Sequence, residues 1–156
     1  MKITVQILQA WYNEFNESMF NGLLLPVDIV ITRKKTQLGC VARFKNTNKV
    51  LFLAVSSFLD RDDQGYKDTL AHEMIHVFQV QNNLPLKHDK FFHSECDRIN
   101  KSFPSFSLSE KADIMTVKTN KNIKYTQMMS DLGFCDIIPV IISIFINCSI
   151  HIFFLI

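Results

Sequence analysis

The sequence predicts an α+β fold: helices and a small sheet containing antiparallel strands, followed by a hydrophobic C-terminal tail. Three observations point there. Residues 4–21 repeat apolar side chains at three- and four-residue intervals, the mark of an amphipathic helix. Residues 38–55 hold two runs of strand-forming residues around a short Asn-rich turn, which predicts a hairpin. Residues 66–80 and 88–102 return to the helical period. At 156 residues the chain is long enough to bury a core and short enough to be one domain with a tail.

Taken in order, the first helix presents Ile7, Leu8, Trp11, Phe15, Met19 and Phe20 on one side. Asn21-Gly22 should stop it, because glycine accepts the left-handed conformation of a helix end. Residues 27–32 alternate and are rich in β-branched side chains, so they read as a strand. Arg33, Lys34 and Lys35 then read as a solvated turn, with a basic groove as the alternative. Residues 38–44 and 50–55 form the hairpin. The second of these runs is apolar on both faces, which suits a central strand. Residues 56–63 read as a loop. The next helix is capped by Asp68, Thr69 or Asp63 and turns Leu70, Met74, Val77 and Phe78 inward. Asn82, Asn83 and Pro85 break it before the last helix.

Residues 69–76 contain His72-Glu73-x-x-His76. On a helix, residues four apart lie one above the other, so both imidazoles can reach a single zinc ion at about 2.0–2.1 Å. Glu73 stands about 100° further round, beside the metal without ligating it. Zinc lowers the pKa of a water it holds, and a carboxylate in that place can take the proton for attack on a carbonyl. The residue types and their spacing therefore describe a zinc metallopeptidase with Glu73 as the catalytic base. The plain alternative is a helix with two ordinary histidines and a solvated glutamate. A non-catalytic zinc module that binds nucleic acid or protein is a further alternative, and Glu73 separates the two, since a structural site needs no unliganded carboxylate.

Catalytic zinc takes three protein ligands and leaves one position open. The candidates for the third are His88, Glu95 and His93. If the last helix begins at His88, a helical wheel places His88 with Phe92 and Ile99 on the buried face and turns His93 away. Glu95, 19 residues beyond His76, stays a rival at the spacing of glutamate-ligand metalloproteases. Wheel direction and ligand preference favour His88. The longer H-E-x-x-H-x-x-G-x-x-H motif is excluded, since Gln79 and Asn82 stand where it needs Gly and His.

These stretches together resemble the SprT-like metalloproteases, the family that includes the DNA–protein crosslink protease Spartan. The matching residues are Trp11-Tyr12-Asn13-Glu14-Phe15-Asn16 with Phe20-Asn21-Gly22, Leu38-Gly39, residues 69–76, and His88-Asp89-Lys90-Phe91-Phe92 running into Arg98-Ile99-Asn100. They come in the family's order and cover about residues 5–103. The resemblance implies a zincin-like domain with a small sheet packed on the His72–His76 helix. It also implies a third zinc histidine at His88 and a protein substrate, which in relatives of Spartan is associated with DNA. This chain departs from the family pattern in having Asp89-Lys90 after His88 rather than Gly-Pro, and in lacking a cysteine-rich zinc ribbon.

Charge and cysteines bound the remaining readings. The net charge of +2 does not by itself argue for nucleic acid. All 17 Lys and Arg residues lie at or before Lys124, against 13 acidic residues, a balance of +4 that allows weak DNA contact. Cys40, Cys96, Cys135 and Cys148 form no C-x-x-C pair. With no secretory signal at the start, free thiols suggest an intracellular setting, cytoplasmic or nuclear. Residues 103–126 are polar and basic, with a candidate short helix at 108–115. Residues 137–156 carry no charge and match the length of a membrane span. They read as a membrane anchor, as a non-native end such as a frame-shift, or as buried structure. The expected division is a protease domain at 1–116, a polar linker at 117–136 and the tail at 137–156. Oligomeric state is not legible.

Overall fold

The computed structural model describes residues 2–45 and 47–110. All of these belong to the first of the chain's two units, Met1–Thr119; the second, Asn120–Ile156, lies wholly outside the described residues. The expected linker and tail therefore lie outside them as well. Among the described residues no helix is long and apolar enough to cross a membrane.

Helix α1 spans Val5–Phe20. The Thr4 hydroxyl caps it by accepting a hydrogen bond from the Ile7 amide at 3.3 Å. The stop uses two residues rather than glycine alone: Asn21 takes the left-handed conformation at φ 55° and Gly22 follows at φ 70°. Leu8, Tyr12, Phe15 and Met19 form its buried stripe, while Ile7 and Trp11 sit at the margin. Tyr12 was not among the apolar positions of the sequence pattern. It is buried because its hydroxyl has a partner, donating to the Leu25 carbonyl at 2.8 Å.

The sheet has three strands, β1 (Ile29–Thr32), β2 (Gly39–Arg43) and β3 (Val50–Ser56), in the order β1-β3-β2. The hairpin β2–β3 is antiparallel as expected, and β3 is central. The sheet is mixed, because β1 runs parallel to β3. The register puts Ile29 and Ile31 beside Leu53 and Val55, and these beside Val41 and Gly39. Since side chains alternate between faces, all six lie on one face of the sheet. That face packs into the core with α1 and α2. Arg33, Lys34 and Lys35 precede β2, whereas Arg43 ends it and Lys45 follows it, so the two groups lie toward opposite ends of the strand.

Helix α2 spans Asp63–Gln81, one turn longer at its start than the pattern predicts. The cap is Asp62, whose carboxylate accepts from the Gly65 amide at 2.8 Å. Asp68 and Thr69 lie inside the helix, and Asp63 is its first residue. A glycine in the first turn costs little there, because a cap and the acidic Asp63 both favour the helix N-terminus. Leu70, Ala71, Met74, Ile75 and Val77 are fully buried, so the helix is enclosed on several sides and not along one stripe. Burying each large aliphatic side chain contributes about 1.5–3 kcal/mol. Arg61, just before α2, ties the sheet to it: its guanidinium donates to the carbonyls of Ser56 and Gly65.

Helix α3 spans Lys90–Ser102 and starts two residues later than the sequence suggests. Asp89 accepts from the amides of Phe91 and Phe92 at 3.1 and 3.3 Å, which makes it the cap. His88 therefore precedes the helix. Beyond α3 the chain folds back. Phe106 meets Phe15 edge-on at 5.3 Å, and the Asn100 side chain pairs with the backbone of Leu108. Residues 108–110, the start of the expected short helix, are not helical; the rest of it lies outside the described residues.

Candidate metal centre

His72, Glu73 and His76 stand on α2, and His88 comes from the connection to α3. The structure brings the three histidines together. His88 Nε2 lies 3.0 Å from His76 Nε2 and 3.2 Å from His72 Nε2. Two nitrogens bound tetrahedrally to one zinc at 2.0–2.1 Å are about 3.3 Å apart, so these separations fit a shared ion. Phe92 is fully buried beneath the cluster. Its ring centroid is 4.8, 4.8 and 4.4 Å from those of His72, His76 and His88.

The hydrogen bonds behind the rings set which nitrogen faces the cluster. The buried Gln79 donates its amide NH2 to the Lys87 carbonyl at 2.9 Å, and a carbonyl only accepts. The Gln79 oxygen therefore faces His76 Nδ1, 2.7 Å away, and that nitrogen must carry the proton. His72 Nδ1 likewise donates to the Ser109 carbonyl at 3.0 Å. Both Nε2 atoms are then bare lone pairs turned toward each other's neighbourhood and toward His88. Converging lone pairs need a cation or a proton between them. Such backing of Nδ1 is the usual support of a ligating histidine. Burial and the neighbouring histidines push the His72 imidazole down to about 4. Burial first, and then His88, also lower His76. His72 and His76 are thus held as neutral imidazoles, the form that binds metal.

Glu73 is 6% exposed. Burial alone raises its carboxyl to about 8, and a bound cation would pull it down again. Its side chain packs on β2 at Gly39. A Cβ on Gly39 would fall 2.6–2.9 Å from Glu73 Oε1, Cγ and Cδ, closer than atoms can pack. Gly39 is required for space here and not for an unusual φ. The close approach follows from the register, which turns Gly39 to the helix side of the sheet.

The rivals for the third position lie elsewhere. Glu95 is held by Arg98, whose Nη2 donates to it at 2.7 Å and to the Met19 carbonyl at 2.9 Å. His93 is exposed and stands 3.9 Å from Glu110. His88 joins the cluster for a reason other than the wheel, since it lies outside the helix on which the wheel was drawn. The Asp89 cap fixes the start of α3 and so the point from which His88 projects. Sequence reasoning missed Gln79, although a polar residue three positions after His76 on a buried helix was a signal. It also missed Ser109, for which no signal exists, because its backbone carbonyl does the work.

The fold and site can be compared with known proteins. Among solved structures, the crystal structure of the metallopeptidase zymogen of Pyrococcus abyssi abylysin is similar to 68% of this chain and 100% of that one, at 16% identity and a TM-score of 0.41. No curated protein matches the chain significantly. The model of the SprT-like family matches residues 8–118, from the first turn of α1 past the Ser109 carbonyl that backs His72. With that match over most of its length, the chain belongs to the SprT-like family.

Proposed function

We propose that the chain is a zinc-dependent endopeptidase in which His72, His76 and His88 hold the metal and Glu73 is the general base. One observation carries this reading: three imidazoles converge on one point, with a buried, unliganded carboxylate on the helix that bears two of them. Three imidazoles suit zinc and leave a fourth position open. Zinc, when bound, supplies Lewis acidity, lowering the pKa of water and polarising a peptide carbonyl. Glu73 takes a proton from the attacking water and returns it to the leaving amine nitrogen. Its enclosure by Gly39 and α2 keeps it in place and away from bulk solvent. β2 has no second strand partner among the described residues, so an extended peptide can pair along its open edge, which begins at Gly39 against Glu73. The test is metal removal and return. One zinc per chain is expected. Chelation should abolish cleavage of an unfolded protein substrate and zinc should restore it; cleavage that survives complete chelation would sink the proposal.

Gly39→Ala tests the contact between strand and base. The added methyl must displace Glu73, and a misplacement of about 1 Å costs roughly 100-fold in rate. Zinc content should stay at the wild-type level, because no ligand touches Gly39. An active Gly39→Ala enzyme would show that Glu73 need not sit where it does.

The substrate is a protein. Contact with DNA, if made through Arg33, Lys34, Lys35, Arg43 and Lys45, is expected to be weak and salt-dependent, since the charge balance up to Lys124 is only +4. We also infer that residues 1–116 make up the folded unit. A chain truncated after Lys124 should melt cooperatively and bind zinc as the full chain does, read by circular dichroism and metal analysis. Failure to fold would make the tail part of the core.

A further inference from the structure

Among the described residues, Asn16 and Asn100 make the same pair of bonds. Asn16, near the end of α1, donates to the Leu24 carbonyl and accepts from the Leu24 amide, both at 3.0 Å. Asn100, near the end of α3, donates to the Leu108 carbonyl at 2.9 Å and accepts from the Leu108 amide at 2.8 Å. In each case the carboxamide stands in for a β-strand neighbour and seats a buried leucine eight residues along the chain. The first clamp shapes the turn after α1. The second stands immediately before two residues that back the histidine cluster. The Ser109 carbonyl accepts from His72 Nδ1, and Glu110 Oε1 lies 3.9 Å from His88 Nδ1. Ser109 and Glu110 are themselves exposed, so burial does not hold them there. Leu108 is one of their anchors, beside the Ser107 amide, which donates to Asp68 at 3.4 Å.

We propose that Asn100 is a positioning residue for the metal centre: by clamping both backbone groups of Leu108, it holds the Ser109 carbonyl against His72 Nδ1 and Glu110 beside His88. The inference rests on the metal reading above. Asn100 touches no ligand and acts only through the segment it fixes. Releasing that segment removes the acceptor that keeps the His72 proton on Nδ1, so His72 can change tautomer or rotate, and the site loses part of its preorganisation. Loss of such a supporting partner lowers metal affinity about 10–100-fold.

Asn16 supplies a matched control, since Asn16→Ala deletes the same two bonds at a turn with no part in the cluster. Zinc affinity is measured by competition with a chromophoric chelator, at a temperature where circular dichroism shows every variant folded. Cobalt(II) substitution reports the ligand geometry through its visible absorption. Asn100→Ala should lose about 10–100-fold in zinc affinity and shift the cobalt bands, while Asn16→Ala changes neither. Asn100→Asp should behave like Asn100→Ala, because a carboxylate accepts from the Leu108 amide but cannot donate to its carbonyl. It carries the test if the alanine variant does not fold. Wild-type affinity and spectrum in a folded Asn100 variant would overturn the proposal, and so would an equal loss in Asn16→Ala. In either case the wild type would still bind zinc, which separates this failure from that of the metal reading. A wild type that binds no zinc overturns both.

Discussion

Glu73→Gln is expected to keep its zinc and its fold and to lose about 10²–10⁴-fold in turnover, the range that loss of a general base costs. The amide has nearly the shape of the carboxylate, so it fits the space left by Gly39. No metal ligand depends on Glu73: His72 is backed by Ser109 and His76 by Gln79. The amide cannot accept a proton from water, and that step needs the carboxylate. The substitution should not destabilise the metal-free protein, because burial already disfavours the charge at this position. Elemental analysis, thermal melting and cleavage of an unfolded protein substrate check the three statements. A zinc-loaded Glu73→Gln protein with full activity would rule out Glu73 as the base.

His88→Ala should empty the site. It removes one of three nitrogens that lie together, and the loss should exceed the roughly 10–100-fold that a supporting partner contributes. Glu95→Ala should leave zinc content unchanged. Its carboxylate is taken by Arg98, and that pair, with Arg98 42% exposed, is worth at most about 1 kcal/mol. His93→Ala should also keep the metal, since its imidazole stands apart from the cluster. Parallel elemental analysis of the three purified variants decides the matter. Zinc lost from Glu95→Ala and kept in His88→Ala would assign the third ligand to the glutamate.

Local chemistry was enough to read much of this molecule from its sequence. The helical period by itself stacks His72 and His76 and sets Glu73 beside them, so that half of the site needs no tertiary information. Apolar alternation and the Asn-rich turn were enough for the β2–β3 hairpin and for the central place of β3. Element ends were less legible where several polar residues compete to cap a helix. Asp62 won over Asp63 and Asp68, and Asp89 displaced His88 from α3.

Tertiary structure decided whatever joins residues that no period relates. His88 reaches the cluster from a turn, where a wheel has no meaning, and its direction is set by the Asp89 cap and by Phe92 beneath it. The parallel pairing of β1 with β3 spans a connection that contains β2, and no local pattern encodes it. Gly39 lies against Glu73 because two strands are in register on a helix. The Ser109 carbonyl is a backbone group, identical in every residue, so only the path of the chain can bring it to His72. Sequence by itself determined the two imidazoles and the carboxylate that one helix carries; folding in three dimensions determined which histidine joins them, the tautomers of His72 and His76, and the space in which Glu73 is held.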